Sequence, residues 1–226
     1  MDFNDSKDTY RAVIEESIRF AGKDHDFFIG VKADFLNSVV KQVLPSIRKP
    51  RLLDVGCGHG YIHKRLHNKG FDVTGVDNAG EVIELAKKLN PNVSYMSHDG
   101  KTLPLPEESF DIAMAICVMH HVPPVQWKSF LVEMKRVLKP GGMAIIFEHN
   151  PYNPLTRLVV SRNRLDDDAV LLSHSRLEEL MRVAEYKKTF SRHILFTPFA
   201  QPVFRWLDKK LGWCPLGAQY YTVAIK

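Results

Sequence analysis

Long apolar runs are missing from this 226-residue sequence, and none approaches the roughly 20 residues that a membrane-spanning helix needs. We therefore expect no stable membrane insertion. The first residues, MDFNDSKDTYR, are acidic and polar and do not resemble a signal peptide. The sequence has 3 cysteines, Cys57, Cys117 and Cys214, without a CxxC pair, which argues against a disulfide framework and a zinc site. These absences favour a reducing cytoplasm.

Positive charge is present only in modest excess. The formal net charge is +5, and the Lys and Arg residues are scattered, without an arginine-rich arm or an RNP-type aromatic motif. We interpret this as a solvated basic surface and expect no nucleic-acid partner. The sequence carries no signal for the oligomeric state.

Short apolar runs alternate with helical patterns along the chain. Strands are predicted at 51–55, 72–76, 93–96, 110–117 and 143–148, with helices at 60–69, 80–89 and 124–137 and a turn at 140–142. This alternation predicts βαβ units and a parallel sheet. Buried parallel strands read as continuous apolar runs, as IAMAIC does.

The flanking segments add further elements. Residues 7–47 hold two amphipathic helical patterns separated by a break at 22–30, and the C-terminal flank predicts a helix at 175–184, a strand at 186–196, a helix at 199–211 and a strand at 218–226. The pattern over 199–211 leaves two interpretations open, an interfacial amphipathic helix or a helix packed on the core with a basic outer face. The second is favoured. Because neither flank is self-sufficient, one domain over 1–226 is expected.

The stretch LLDVGCGHG, residues 52–60, places a glycine-rich turn between a strand and a helix. Glycines let a ligand approach the main chain, and the helix start offers free N–H groups. The spacing does not fit the dinucleotide fingerprint GxGxxG, because Tyr61 and His63 occupy the two positions where its third glycine would stand. An acid, Asp54, precedes the first glycine by two residues. This arrangement is less common than a glycine-rich turn alone.

The segment 54–60, DVGCGHG, resembles the first motif of the class I S-adenosylmethionine-dependent methyltransferases. Four further stretches, at 73–77, 97–100, 103–111 and 138–142, resemble that family in order and spacing. The flanking FAGKDHDFFIGVKADFL and EHNPYNPLTR resemble a bacterial small-molecule branch of it.

The resemblance implies an α/β fold, a Rossmann-like doubly wound sheet of seven strands, mostly parallel with the last strand antiparallel. Residues 1–49 would form an N-terminal helical lid, 50–150 the cofactor-binding core, and 151–226 the last two strands with substrate-side insertions. The implied cofactor is S-adenosyl-L-methionine, with S-adenosyl-L-homocysteine as product. The implied reaction is methyl transfer to a small-molecule oxygen, nitrogen or carbon by in-line displacement.

The resemblance also implies roles for individual residues. Asp77 would hold the ribose hydroxyls and Asp99 the adenine amino group, while Asp54 would serve the methionine amino group and brace the turn. Cys117 would contribute its main-chain carbonyl, with its thiol a buried filler. The full expected cofactor set is Asp54, Gly56, Cys57, Gly58, Gly60, Asp77, Asn78, Asp99, Gly100 and Cys117. Structural alternatives are a helix cap for Asp77 and an ordinary turn for Asp99.

Histidines are the candidates for acid–base chemistry. His120, His121 and His149 follow predicted strands at their carboxyl ends, where an imidazole could remove a proton from the acceptor. His149 is preferred, because Glu148 precedes it and a flexible loop follows. His25 could close the site. The spacing of His59, His63 and His67 would suit a metal, but neighbouring lysines and an arginine favour a solvated face, so no metal site is expected.

Two other functions stay open at this level. One is a class I methyltransferase acting on RNA or protein, although an amino-base motif is missing after the fourth strand. The other is a non-catalytic cofactor-binding subunit.

Overall fold

The computed structural model describes residues 25–197, 199 and 201–226. Its strands are β1 (Arg51–Val55), β2 (Asp72–Asp77), β3 (Ser94–Ser97), β4 (Phe110–Ile116), β5 (Leu138–His149), β6 (Lys187–Ile194) and β7 (Gln219–Ile225). Its helices are α1 (His25–Val43), α2 (His63–Asn68), α3 (Gly80–Leu89), α4 (Trp127–Val137), α5 (Pro154–Val160), α6 (His174–Val183) and α7 (Pro202–Lys210). Single 3₁₀ turns lie at Met119–His121, Pro124–Gln126 and Arg164–Asp166.

The seven strands form one sheet in the order β3-β2-β1-β4-β5-β7-β6. The pairs among β1 to β5 are parallel, whereas β7 runs antiparallel to both β5 and β6. This confirms the predicted fold class. The strand order reverses between β1 and β4, and in open α/β sheets ligands bind outside the carboxyl ends of the strands at such a point.

Apolar layers cover both faces of the sheet. Leu131 of α4 and Leu177 of α6 are fully buried in one layer, and Leu36 of α1 and Leu66 of α2 are fully buried in the other. Burial of each such side chain stabilises the fold by about 1.5–3 kcal/mol. The helices therefore hold the strand ends in fixed positions.

The predicted interruption of the N-terminal helices at 22–30 is wrong over the part that the structure describes. Helix α1 continues through Gly30, although glycine costs a helix about 1 kcal/mol relative to alanine. The apolar face that includes Ile29 and Leu36 packs on the sheet, and this burial exceeds the cost of Gly30. The first of the two predicted helical patterns lies outside the described residues.

Strand β5 begins earlier than the predicted 143–148, so the predicted turn at 140–142 lies inside it. The cause is that Leu138 pairs with Phe110 before the ladder shifts register. In α7, Val203 and Trp206 are more than half exposed, so the expected packing of this face on the core is incomplete. Among the described residues, no helix is long and apolar enough to span a membrane.

Candidate active site

A cavity of about 1220 Å³ lies at the carboxyl ends of the central strands. Its walls contain most of the predicted site residues, namely Asp54, Gly56, Cys57, Gly58, Asp77, Asn78, Asp99, Gly100, Cys117, His120, His121 and His149. His25 and His59 also line it. The fold thus brings together residues that are far apart in the sequence.

The glycine turn is tied to β2 by its main chain. The N–H groups of Gly56 and Cys57 donate to the Val76 carbonyl oxygen at 2.8 and 3.0 Å. Gly58 has a φ of +50°, and a Cβ there would meet no atom of the described residues within 4 Å. Because Gly58 lines the cavity, its main chain offers a ligand unobstructed approach.

Gly60 is the predicted cofactor residue that the cavity does not reach. Its φ is +65°, and a Cβ at this position would lie 2.4 Å from Tyr95 Oη and 2.8 Å from His63 Nδ1. The glycine therefore permits close packing beneath the turn.

Asp77 braces the turn, a role that the sequence analysis gave to Asp54. Its Oδ2 accepts the Gly58 N–H at 2.8 Å, and its Oδ1 accepts the Ala79 N–H at 2.9 Å, just before α3. Burial raises the pKa of Asp77, and these two hydrogen bonds oppose that rise. The carboxylate thus lies at the end of β2, next to the glycine turn.

Asp54 is held by a histidine instead of by main-chain groups. Its Oδ2 lies 2.9 Å from His63 Nε2, and His63 Nδ1 lies 2.6 Å from Tyr95 Oη. The other oxygen of Asp54, Oδ1, is buried and has no hydrogen-bond partner among the described residues. An unsatisfied buried carboxylate oxygen in a cavity wall is a ready acceptor for a ligand N–H group.

The solvated-face prediction for three histidines is therefore wrong for two of them. His63 is fully buried with both ring nitrogens in hydrogen bonds, and His59 is 4% exposed. Only His67 is exposed. The reason is that α2 begins at His63, so its first turn packs against β1 and β3.

Asp99 lies at the surface end of the cavity. Its Oδ1 accepts the N–H groups of Lys101 and Thr102 at 2.8 and 2.9 Å, and these bonds lower its pKa. The geometry is that of a turn aspartate, and Asp99 and Gly100 both line the cavity.

Glu148 contacts and orients His120 and not His149, the candidate base that it precedes in the sequence. Its Oε2 lies 2.5 Å from His120 Nδ1, and its Oε1 accepts the Val118 and Met119 N–H groups at 3.1 and 2.8 Å. Neighbouring side chains of a strand face opposite sides, which separates Glu148 from His149. Burial would lower the pKa of His120, but Glu148 and Asp166 together outweigh burial and raise that pKa. The pKa of Glu148 is lowered in turn by His120, against its own burial.

His149 lies beside Cys117 in the wall of the cavity. Its Nδ1 is 3.3 Å from Gln219 Nε2, and Lys32 Nζ is 3.8 Å from Cys117 Sγ. Burial would raise the pKa of Cys117, but Lys32 and His149 outweigh it and lower that pKa to about 7. Burial instead raises the pKa of the Cys57 thiol.

Sequence reasoning missed several residues of this cavity. Lys32 had a usable signal, because it lies on the apolar face of α1 between Ile29 and Leu36, where a charge is unexpected. Asp166 had no such signal, because its segment carries no helix or strand periodicity in the sequence. Its Oδ1 is 3.5 Å from His120 Nε2 and 3.4 Å from His121 Nε2.

Known proteins resemble the chain in both sequence and fold. A family model described as "Methyltransferase domain" matches residues 53–146. Phthiotriol/phenolphthiotriol dimycocerosates methyltransferase 1 of Mycobacterium ulcerans is 32% identical over 111 residues, 46% of this chain and 40% of that protein. Ubiquinone biosynthesis O-methyltransferase of Rickettsia akari is 36% identical over 104 residues, 44% of this chain and 40% of that protein. The matches thus span less than half of these two relatives.

A crystal structure from Thermotoga maritima, described as a SAM-dependent methyltransferase and possible histamine N-methyltransferase, superposes with a TM-score of 0.69 at 21% identity. The superposition covers 99% of this chain and 98% of that one.

The cavity fits the cofactor of this family. Asp54 Oδ1 has no hydrogen-bond partner among the described residues and could accept from an amino group, Gly58 leaves open space, and Asp77 supplies a carboxylate at the end of β2. Residues 53–146 thus match a methyltransferase domain, and the whole fold is similar to that of a SAM-dependent methyltransferase.

Proposed function

We propose that this chain transfers a methyl group from S-adenosylmethionine to a small-molecule acceptor. One observation carries the proposal: a single cavity of about 1220 Å³ joins the glycine turn at one end to a group of histidines at the other. Pockets for one small ligand measure about 300–1,000 Å³, so this cavity leaves room for an acceptor beside the cofactor. The relatives named for phthiotriol dimycocerosates and for ubiquinone biosynthesis support a small acceptor.

The cofactor would occupy the end formed by β1, β2 and the turn after β3. Asp77 would accept the ribose hydroxyls, Asp54 Oδ1 the methionine amino group, and Asp99 the adenine amino group. When bound, the cofactor supplies a methyl group on a positively charged sulfur. The protein would then mainly align the acceptor with that methyl group, which can contribute several kcal/mol to the rate.

His149 is the proposed base for an acceptor that must lose a proton. It lines the cavity, with Nδ1 3.3 Å from Gln219 Nε2. His120 is less free to act, because Glu148 already holds its Nδ1. A base close to the methyl group would raise the rate by about 10²–10⁴-fold.

The acceptor class can be tested with methyl-labelled S-adenosylmethionine and a cell extract from the source organism. The extract is separated into metabolite, lipid, RNA and protein fractions, and each is incubated with the protein. We expect label in the metabolite or lipid fraction. Label confined to RNA or protein would overturn the proposed acceptor class, and no label above that of an Asp77→Asn variant would support a non-catalytic subunit.

The base can be tested once an acceptor is known. We expect His149→Asn to lower kcat by about 10²-fold or more while cofactor affinity changes little. The exposed His67→Asn serves as the control and should leave both unchanged. An unchanged kcat in His149→Asn would remove His149 as the base.

A further inference from the structure

Three side chains converge at the acceptor end of the cavity. His120 and His121 belong to the turn after β4, and Asp166 belongs to the 3₁₀ turn Arg164–Asp166. Their nitrogen and oxygen ligand atoms all lie within 4.8 Å of one another, and all three residues line the cavity. They therefore surround one shared volume.

The distances suit a cation between these atoms better than direct hydrogen bonds. Nε2 of His120 and Nε2 of His121 lie 3.5 and 3.4 Å from Asp166 Oδ1. Charge-assisted N–H···O bonds measure about 2.7–2.9 Å. With zinc bonds of about 2.0–2.2 Å, two ligands of a tetrahedral ion lie roughly 3.3–3.6 Å apart. The two nitrogen–oxygen separations fall in that second range.

The other polar atoms of these side chains already have neighbours. His120 Nδ1 lies 2.5 Å from Glu148 Oε2, and Asn163 Nδ2 donates to Asp166 Oδ2 at 2.7 Å. His121 Nδ1 lies 3.6 Å from Asp168 Oδ1. Metal-binding histidines commonly donate their second N–H to a carboxylate, which fixes the ring orientation. The atoms that approach one another across the shared volume are His120 Nε2, His121 Nε2 and Asp166 Oδ1.

The local charge is compatible with a bound cation. The side chains of Glu148 and Asp166 are 0% and 7% exposed. Two buried carboxylates therefore lie on either side of one histidine, His120. Within the described part of the chain, neither carboxylate forms an ion pair with a lysine or an arginine. Buried charges are paired or coordinate metals. Both carboxylates pair with His120 or His121, and a divalent cation bound between the two histidines would add positive charge beside both carboxylates.

We propose that His120, His121 and Asp166 bind one divalent transition-metal ion, with zinc as the simplest candidate. Two histidines and one carboxylate leave a coordination position open toward the cavity. A metal there would bind an acceptor hydroxyl and ease its loss of a proton to His149. This role in the reaction rests on the proposed function, whereas metal binding itself does not. No metal site was expected from the sequence, because only the cysteines and the trio His59, His63 and His67 were considered as ligands. Asp166 gives no signal before the fold is known.

The binding test uses the full chain, stripped with a chelator and titrated with Co²⁺, whose visible absorption reports its coordination. We expect one Co²⁺ per chain with the intense bands of a four-coordinate site, displaced by Zn²⁺. Asp166→Asn and His121→Gln should each lower the affinity by about tenfold or more. His67→Gln, an exposed histidine outside the cavity, is the matched control and should bind as the wild type does. Absence of binding, or unchanged affinity in both cluster variants, would overturn the proposal.

A measurement on the wild type guards against variants that fail to fold. Histidine ¹⁵N NMR of the Zn²⁺-loaded protein should show two imidazoles coordinated through Nε2, assigned to His120 and His121. Coordination by other histidines would overturn the site. Methyl transfer that persists after complete metal removal would overturn the role in the reaction, while leaving the proposed methyltransferase function in place.

Discussion

His63 Nε2 lies 2.9 Å from Asp54 Oδ2, which links the first residue of α2 to the acid near the end of β1. His63 Nδ1 lies 2.6 Å from Tyr95 Oη in β3, and all three residues are buried. Buried hydrogen bonds that link Asp54, His63 and Tyr95 therefore support the glycine turn between β1 and α2. These hydrogen bonds engage Asp54 Oδ2. Asp54 Oδ1 lies in the cavity wall without a hydrogen-bond partner among the described residues.

Replacement of His63 should destabilise the protein. In His63→Ala, Asp54 and Tyr95 lose their shared partner inside the core, and we expect the free energy of unfolding to fall by about 3–5 kcal/mol. Urea denaturation measures this change. His67→Ala, on the exposed side of the same helix, should alter stability by less than about 0.5 kcal/mol. Equal effects of the two substitutions would show that the buried chain is not a structural support.

Two glycines of the turn should respond differently to alanine. Gly60→Ala places a Cβ 2.4 Å from Tyr95 Oη, so we expect a loss of stability of about 2 kcal/mol or more, measured by urea denaturation. Gly58→Ala meets no atom within 4 Å and should cost only the backbone strain of about 1–2 kcal/mol. Because Gly58 lines the cavity, its variant should weaken cofactor binding in calorimetry. Wild-type cofactor affinity in Gly58→Ala would contradict the proposed position of the cofactor.

The Cys117 thiol should react with iodoacetamide as an acidic thiol. Lys32 and His149 lower its pKa to about 7 despite burial, so its alkylation rate should rise with pH around a midpoint near 7. Mass spectrometry of the Cys117 peptide measures the rate separately from Cys57 and Cys214. Lys32→Met removes a positive charge and should raise the midpoint. If the midpoint stays at 7 in Lys32→Met, Lys32 is not the cause.

His193 should make stability depend on pH. Burial, together with the nearby His174, lowers the pKa of His193 to about 4, so below pH of about 6.5 the unfolded chain takes up a proton that the folded protein resists. Stability from this group is complete above pH 6.5 and is lost as the pH falls toward 4, by on the order of 2–3 kcal/mol. Denaturation curves at pH 7 and pH 4 measure it. His193→Gln should reduce this loss relative to the wild type, and an equal loss in both would contradict the prediction.

Much of the fold follows from local sequence patterns. β1 was predicted at its observed bounds because a buried parallel strand reads as a continuous apolar run. The start of β5 at Leu138 was not predicted, because Pro140, Gly141 and Gly142 indicate a turn. The pairing of Leu138 with Phe110, which starts the strand early, depends on β4 and is not visible in the local sequence. Helix α1 passes through Gly30 for a similar reason, since tertiary burial outweighs local preference.

The candidate site was only partly predictable. The glycine turn and Asp77 carry recognisable spacing, and the structure places both in the cavity wall. The partner of Glu148 could have been inferred from the alternation of side chains along a strand, which turns it away from His149. The presence of Asp166 in the site could not have been inferred, because the position of its irregular segment against the turn after β4 depends on the whole fold.

The central claim is that this cavity binds S-adenosylmethionine through Asp77. Calorimetry of S-adenosylhomocysteine and S-adenosylmethionine binding, with Asp77→Asn beside Asp72→Asn at the exposed start of the same strand, tests it most directly. A hydrogen bond to a charged group contributes about 1.5–3 kcal/mol, so Asp77→Asn should weaken binding by roughly 10- to 100-fold. Asp72→Asn should bind like the wild type. Unchanged affinity in a folded Asp77→Asn protein, or no binding by the wild type, would contradict the account.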